Sequence, residues 1–191
     1  MSNKSLMQQQ LGEQWDALPA ALQAHYKNRD NIDIGKLDIE YPRFMQPYLN
    51  FLRLLGALVN QRGKALATTV EKWMDNDVQH WKRKIQFPDG KTIYFRSYWV
   101  TMGDNELIEY VNRFIGLRMR VEVKKQKLYY HGVSYVLKLG RFLLPIPEWL
   151  VLGHTTIVET ALNENEFTID FRLQHPLFGR LFRYAGTFRT K

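Results

Sequence analysis

From Ala65 to the C-terminus, apolar and polar residues alternate in short runs, and no stretch of helical spacing separates one run from the next. Trp81, Arg83, Ile85 and Phe87 alternate with Lys82, Lys84 and Gln86. Met119, Val121 and Val123 alternate with Arg118, Arg120, Glu122 and Lys124, and Phe167, Ile169, Phe171 and Leu173 with Thr168, Asp170 and Arg172. A period of two puts successive side chains on opposite faces of a strand. Pro88-Asp89-Gly90 turns residues 81–100 into a hairpin. Residues 128–139 form a long strand interrupted at Gly132, and residues 181–188 form a last one broken by Gly186, both places where a strand can bend sharply. A parallel pair needs a crossover of about a dozen residues or more, and none is present. The seven to nine strands must therefore pair antiparallel, with one face buried and one wet. So many consecutive strands curl into a closed barrel or a half-barrel gripping a helix. The fold expected is α+β: short N-terminal helices, then a strongly curved antiparallel sheet or barrel.

The first 64 residues read as a helical part of the same single domain, which spans 1–191. Leu6, Met7, Gln10 and Leu11 give one short apolar side. Pro19, followed by Leu22, His25 and Tyr26, opens a second short helix. Residues 28–41 are polar and read as a loop, or a short strand around Ile32, Ile34, Leu37 and Ile39. Pro47 starts a helix over about 47–61, whose stripe of Tyr48, Phe51, Leu52, Leu55, Leu58 and Val59 is wide enough to pack on a core. The competing reading is a membrane-surface helix, against which stand its few polar residues, with Arg53 and Arg62 its only cations. The core reading lays this helix on the concave face of the sheet.

Composition removes whole classes of chemistry. There are no cysteines, so thiolate catalysis, Cys-ligated zinc, iron–sulfur clusters and disulfides are absent. No eighteen apolar residues run unbroken, and the N-terminal stretch lacks the apolar segment of a secretory signal. A soluble, cytoplasmic protein with no transmembrane segment is expected. The net charge is +8, with four basic and six acidic residues over 1–40 but eleven and five over 81–130. A basic middle suits nucleic acid or anionic lipid. A nucleic-acid face would interleave its cations with exposed aromatics. Here Lys82, Lys84, Arg118, Arg120 and Lys124 fall on the outward phase, and Phe87, Phe167 and Phe171 on the inward one. Nucleic acid is therefore not expected as a partner.

No G-x-S-x-G elbow, phosphate loop, dinucleotide fingerprint or H-E-x-x-H motif is present. The five histidines (25, 80, 131, 154, 175) lack metal-ligand spacing. No catalytic residue, metal or cofactor is expected, and an enzyme is the weaker reading. Glu159 shares the phase of Ile157, so both point inward together. A buried carboxylate has a raised pKa and can serve as acid or base; the plainer reading pairs it with Arg83, also on an inward phase. Tyr184 points inward, its hydroxyl hydrogen-bonded. Arg83, Glu159 and Tyr184 thus form a candidate buried polar cluster. The segment from Gly140 through Phe142, Leu143, Leu144, Pro145, Ile146, Pro147 and Trp149 to Leu152 is very apolar. Its two prolines forbid a central strand or a helix interior. It can cap the core, line the mouth of a cavity or form an interaction patch.

Three stretches resemble a bacterial family of unknown function, DUF4166. The first is Leu11-Gly12-x-x-Trp15-Asp16-x-Leu18-Pro19-x-x-Leu22-x-x-His25. The second is Trp81-x-Arg83-x-Ile85-x-Phe87 with Phe95-Arg96-Ser97. The third runs from Gly140 through Leu144-Pro145-Ile146-Pro147, Glu159, Phe167, Asp170, Phe171, Pro176-Leu177-x-Gly179 and Tyr184-x-Gly186. The resemblance implies an accessory role beside an oxidoreductase, because such domains often follow a saccharopine-dehydrogenase-like NAD(P)-binding domain. No nucleotide-binding portion is read in this chain, so that partner would act in trans. The family supplies no catalytic residues. Three functional readings remain: a non-enzymatic binding domain for a lipid-like or other small apolar ligand; an accessory or substrate-holding domain of an NAD(P)-dependent oxidoreductase; and a protein-interaction module using the 143–152 segment. In the first, Phe51, Leu55, Phe95, Val121 and Trp149 line a cavity between the sheet and the 47–61 helix.

Overall fold

The computed structural model describes residues 4–27 and 30–191. Residues 1–3, part of the stretch read for a signal, and residues 28–29, the start of the polar 28–41 stretch, lie outside the described residues. Ten antiparallel strands close into a barrel, one of the two forms the one-sided alternation allows, and an eleventh strand is attached to its wall. The strands are β1 (Asn31–Glu40), β2 (Gly63–Asp75), β3 (Val78–Gln86), β4 (Thr92–Gly103), β5 (Glu106–Tyr110), β6 (Ile115–Lys124), β7 (Lys127–Leu139), β8 (Phe142–Ile146), β9 (His154–Ala161), β10 (Glu166–His175) and β11 (Gly179–Thr190). Their spatial order is β6-β5-β4-β3-β2-β1-β11-β10-β9-β7, and β7 returns to pair with β6. Strand β7 is long enough to serve two partners on one edge: Lys127–His131 pair with β9 and close the barrel, while Tyr135–Leu139 pair with β8.

The strand count exceeds the expected seven to nine because β1, β5 and β8 carry weak period-two signals. Strand β1 takes the strand alternative for the polar 28–41 stretch, longer than the short strand expected there, inside a part of the chain read as otherwise helical. Its inward phase carries Asn31, Asp33 and Gly35 before Leu37 and Ile39, so polar groups stand where apolar ones would have marked a strand. Strand β8, with Pro145 within it, pairs only with β7, an edge position where a missing N–H is tolerated.

The helices lie at the two ends of the barrel. Helix α1 (Leu6–Leu11) starts at a Ser5 capping box, in which the Ser5 hydroxyl accepts from the Gln8 N–H and the Gln8 side chain accepts from the Ser5 N–H. Helix α2 (Ala20–Lys27) buries Leu22, His25 and Tyr26 against β9, β10 and β11 and closes one end, hereafter the floor. Helix α3 (Gln46–Leu54) lies in the β1–β2 connection at the opposite end, the mouth. The long helix over 47–61 is corrected here. It stops at Leu54 because Gly56, at φ +80°, closes a Schellman motif: its N–H donates to Arg53 O, and the Ala57 N–H donates to Leu52 O. Leu49 and Leu52 are buried, but Phe51 and Leu54 face outward. The apolar residues 57–59 are spent on an irregular segment over the barrel, and the helix that closes the interior is α2.

Two interior glycines accommodate close approach. A Cβ on Gly186 would stand 2.3 Å from Lys36 O, and one on Gly132 would stand 1.8 Å from the Glu148 carboxylate, which lies across it and accepts from the Thr155 N–H. Beside Gly132 the β6–β7 register shifts, so a bend falls where the sequence placed one.

A candidate ligand site inside the barrel

The inward phases of the strands leave a cavity of about 140 Å³ between the floor and the mouth. Ile85, Ile157, Ile169 and Phe171 are among its apolar walls; Ala57, Leu58, Val59 and Leu152 bound it on the mouth side. The floor is polar and comes from five elements. His25 and Tyr26 enter on α2, Asp33 on β1, Lys72 on β2, and Tyr130 and Glu159 on β7 and β9.

Asp33 Oδ2 lies 2.9 Å from His25 Nδ1 and 3.0 Å from Lys72 Nζ, and its other oxygen accepts from the Thr190 hydroxyl at 2.8 Å. Burial raises a carboxyl pKa, but the His25 and Lys72 side chains beside Asp33 outweigh it and hold the carboxyl well below its ordinary range. Burial lowers Lys72 to about 8, with Asp33 opposing, and lowers His25 to about 4. At neutral pH this group holds one ion pair and a neutral imidazole. Beside it, the Tyr26 hydroxyl donates to both oxygens of Glu159, at 2.8 and 2.9 Å, and is hydrogen-bonded to the Tyr130 hydroxyl. Glu159 is only 2% exposed. Burial pushes its pKa up to about 8 against the Tyr26 hydrogen bond and the Lys72 charge, so at neutral pH the carboxyl is mostly protonated. Burial raises Tyr26 and Tyr130 well above the phenol range, and both stay neutral donors.

Arg83 and Tyr184 also stand on the cavity wall with Glu159. Arg83 does not pair with Glu159. Its guanidinium donates to Ser97 Oγ at 2.9 Å and to Glu109 at 3.2 Å, and lies over the Trp81 and Phe95 rings. Tyr184 stacks on Phe171 at 4.7 Å, and burial raises its pKa. Of the five positions read as lining, Phe95 is on the cavity wall. Val121 is fully buried in the core but away from the cavity, Leu55 is half-buried beyond the end of α3, and Phe51 and Trp149 are 55% and 58% exposed. Both exposed side chains belong to elements at the mouth.

His25, Tyr26, Asp33, Lys72 and Tyr130 were not singled out from the sequence. For three of them a signal existed. Lys72 shares the phase of Leu66 and Val70, Asp33 that of Leu37 and Ile39, and Tyr130 that of Leu128. A charged residue on an inward phase is the informative observation. Nothing in the local pattern shows that α2 would bring His25 and Tyr26 to meet them.

The model of the family described as Domain of unknown function (DUF4166) matches residues 18–188. The chain belongs to that family. The DUF4166 match takes in α2 and the whole floor, so the polar cluster lies within the family domain. No curated protein matches the chain. Among solved structures, a mutant of the fluorescent protein UnaG is similar at 16% identity, covering 83% of this chain and 92% of that one, with a TM-score of 0.35. The dehydratase domain from the CurF module of curacin polyketide synthase is similar at 9% identity, covering 90% and 80%, with a TM-score of 0.21. The fold of this DUF4166 chain is read from its own strand register. Among the described residues, no helix is long and apolar enough to cross a membrane.

Proposed function

We propose that this barrel binds a compact apolar small molecule carrying one polar group, with the apolar body in the cavity and the polar group toward the Tyr130–Tyr26–Glu159 chain. The observation that carries the reading is an apolar cavity of about 140 Å³ with hydrogen-bonding groups gathered at one end. Binding sites for small molecules have this composition: apolar walls and a few placed polar groups. Size selects within the class. A cavity of roughly 150 Å³ holds a benzene-sized molecule, so a ring-sized ligand fits the barrel as it stands. A long acyl chain needs residues 57–59 to move. Charge selects further, because a protonated Glu159 and neutral tyrosines favour a neutral hydroxyl or carbonyl over a carboxylate, and Arg83 on the wall is already paired with Glu109.

Native mass spectrometry of freshly purified protein is expected to show a small neutral adduct that leaves on mild activation. Phenol and benzene, used as probes, are expected to change the fluorescence of Trp81 and Trp99 on the cavity wall. Phenol should bind more tightly, and Ile169→Trp, which fills the cavity, should abolish both responses. A protein that purifies without an adduct and ignores both probes would end this reading.

A further inference from the structure

In an antiparallel barrel, alternate connections fall at the same end. The mouth gathers the β1–β2 connection with α3 and the β3–β4, β5–β6, β7–β9 and β10–β11 connections. Most of the large apolar side chains that stand exposed are at this end, including Phe51 and Leu54 on α3, Phe142 and Leu144 on β8, Trp149, and Phe178 in the β10–β11 turn. The opposite end exposes only a scattering, such as Met102 and Leu162. Hydrogen bonds tie the mouth connections to one another. The Asn112 side chain donates to Leu55 O at 2.7 Å, the Lys138 N–H to Phe114 O at 2.7 Å, and the His175 ring to Trp149 O at 2.9 Å. The apolar tips therefore stand in fixed places around one rim.

The same rim is cationic. Arg43, Arg62, Arg113, Lys138 and Arg141 are exposed there, and none has a carboxylate partner among the described residues. Of the acids near this end, Glu40 is taken by Arg180 and Arg183, Glu148 is buried against His154, Asp38 accepts from the Ala65 N–H, and Asp89 in the β3–β4 turn accepts from the Gln61 side chain. We infer that the mouth of the barrel docks onto an anionic phospholipid bilayer, its apolar tips entering the acyl boundary and its arginines and lysines meeting headgroup phosphates. Clustered exposed apolar groups of this extent mark an interaction face. The charge decides the partner. A second copy would bring two cationic rims together, whereas an anionic leaflet attracts them. Separate tips projecting from four of these connections fit a fluid surface better than a rigid one. This inference does not require the cavity to hold a ligand.

The test is co-sedimentation of the full chain with vesicles of phosphatidylcholine alone and of phosphatidylcholine with one quarter phosphatidylglycerol. Binding is expected to the anionic vesicles, at least about tenfold tighter than to the neutral ones, and to weaken with salt. Phe142→Ser/Trp149→Ser and Arg113→Glu/Lys138→Glu/Arg141→Glu are each expected to lose at least about tenfold of it. Met102→Ser/Leu162→Ser at the floor end should bind as the wild type does. All the altered side chains are exposed, and thermal melting checks that each variant folds. Absence of binding to anionic vesicles, equal loss in the floor-end variant, or a dimer in sedimentation that Phe142→Ser/Trp149→Ser dissociates would each overturn the inference. Loss of cavity ligand with vesicle binding intact would sink the proposed function and leave this face standing.

Discussion

At Glu159 the cost of burying a charge decides the protonation state, and that ties stability to pH. The folded barrel keeps a proton on Glu159 up to about pH 8, whereas an ordinary glutamate releases it near 4.5. Folding therefore takes up a proton between those values, so stability falls as pH rises through that range and levels off above it. His25 works in the other direction. Its fold-held neutral form, with a pKa lowered from 6.5 to about 4, loses stability as pH falls below 6.5. Between pH 6.5 and 8 the Glu159 effect is the larger one on the floor; Lys72, lowered to about 8, starts to lose its proton near pH 7 and works weakly the other way. Glu159→Gln retains an acceptor for Tyr26 and cannot ionise. The variant is expected to lose most of the wild type's fall in stability from pH 6.5 to 8, and so to gain about 1–2 kcal/mol on it across that range. Thermal melts at half-unit pH steps measure this; parallel profiles for the two proteins would show that Glu159 ionises normally. The inward orientation of Glu159 was legible from its phase with Ile157. Its partner was not. Arg83 goes to Glu109 and Ser97 on neighbouring strands, and Tyr26 arrives from a helix whose docking no local pattern encodes.

Elements were most legible where one face is uniformly apolar. The hairpin over 81–100 and the strands around 119–123, 167–173 and 181–188 stand as β3, β4, β6, β10 and β11. Strand β1 could be read only as one of two alternatives because its inward face carries the ion-pairing Asp33, and α3 appeared too long because its apolar stripe continues into the segment that covers the cavity. The turns show which local choices are strained. The β4–β5 turn uses Asp104 and Asn105 at φ +50° and +60°, residues suited to a two-residue turn with both φ positive. The β6–β7 turn puts Lys125 and Gln126 at φ +51° and +59°, where a side chain without local hydrogen bonding costs about 1–2 kcal/mol per residue. Both ends of this hairpin are fixed by its ladder, so the chain cannot relax the turn. Lys125→Asn/Gln126→Gly is expected to raise unfolding stability by about 1 kcal/mol in urea titration with an unchanged slope. A lower midpoint would show that Lys125 or Gln126 makes contacts worth more than the strain.

At the scale of the molecule, closure removes sheet edges, and β7 makes it possible by dividing one edge between β9 and β8. Closure also fixes an interior volume that the side chains do not fill. Charge separates the same way: outward strand phases carry many of the cations, the floor holds one compensated ion pair, and the mouth exposes several cations that have no carboxylate partner among the described residues. A barrel shaped only for stability would close the void. Residual cavity volume costs about 24 cal/mol per Å³, which puts the 140 Å³ space at about 3 kcal/mol if filled without strain. Val59→Ile/Val70→Ile extends two wall residues into that space and should recover about 1 kcal/mol of it. The expected outcome is a protein with a higher melting temperature, a smaller volume change on pressure unfolding, and weaker phenol binding than the wild type, the exchange of stability for function that an unfilled site implies. Pressure and thermal unfolding followed by tryptophan fluorescence measure the first two and titration the third. A variant that melts lower while still binding phenol would mean that the added methyl groups meet atoms rather than space, and that the ligand sits elsewhere.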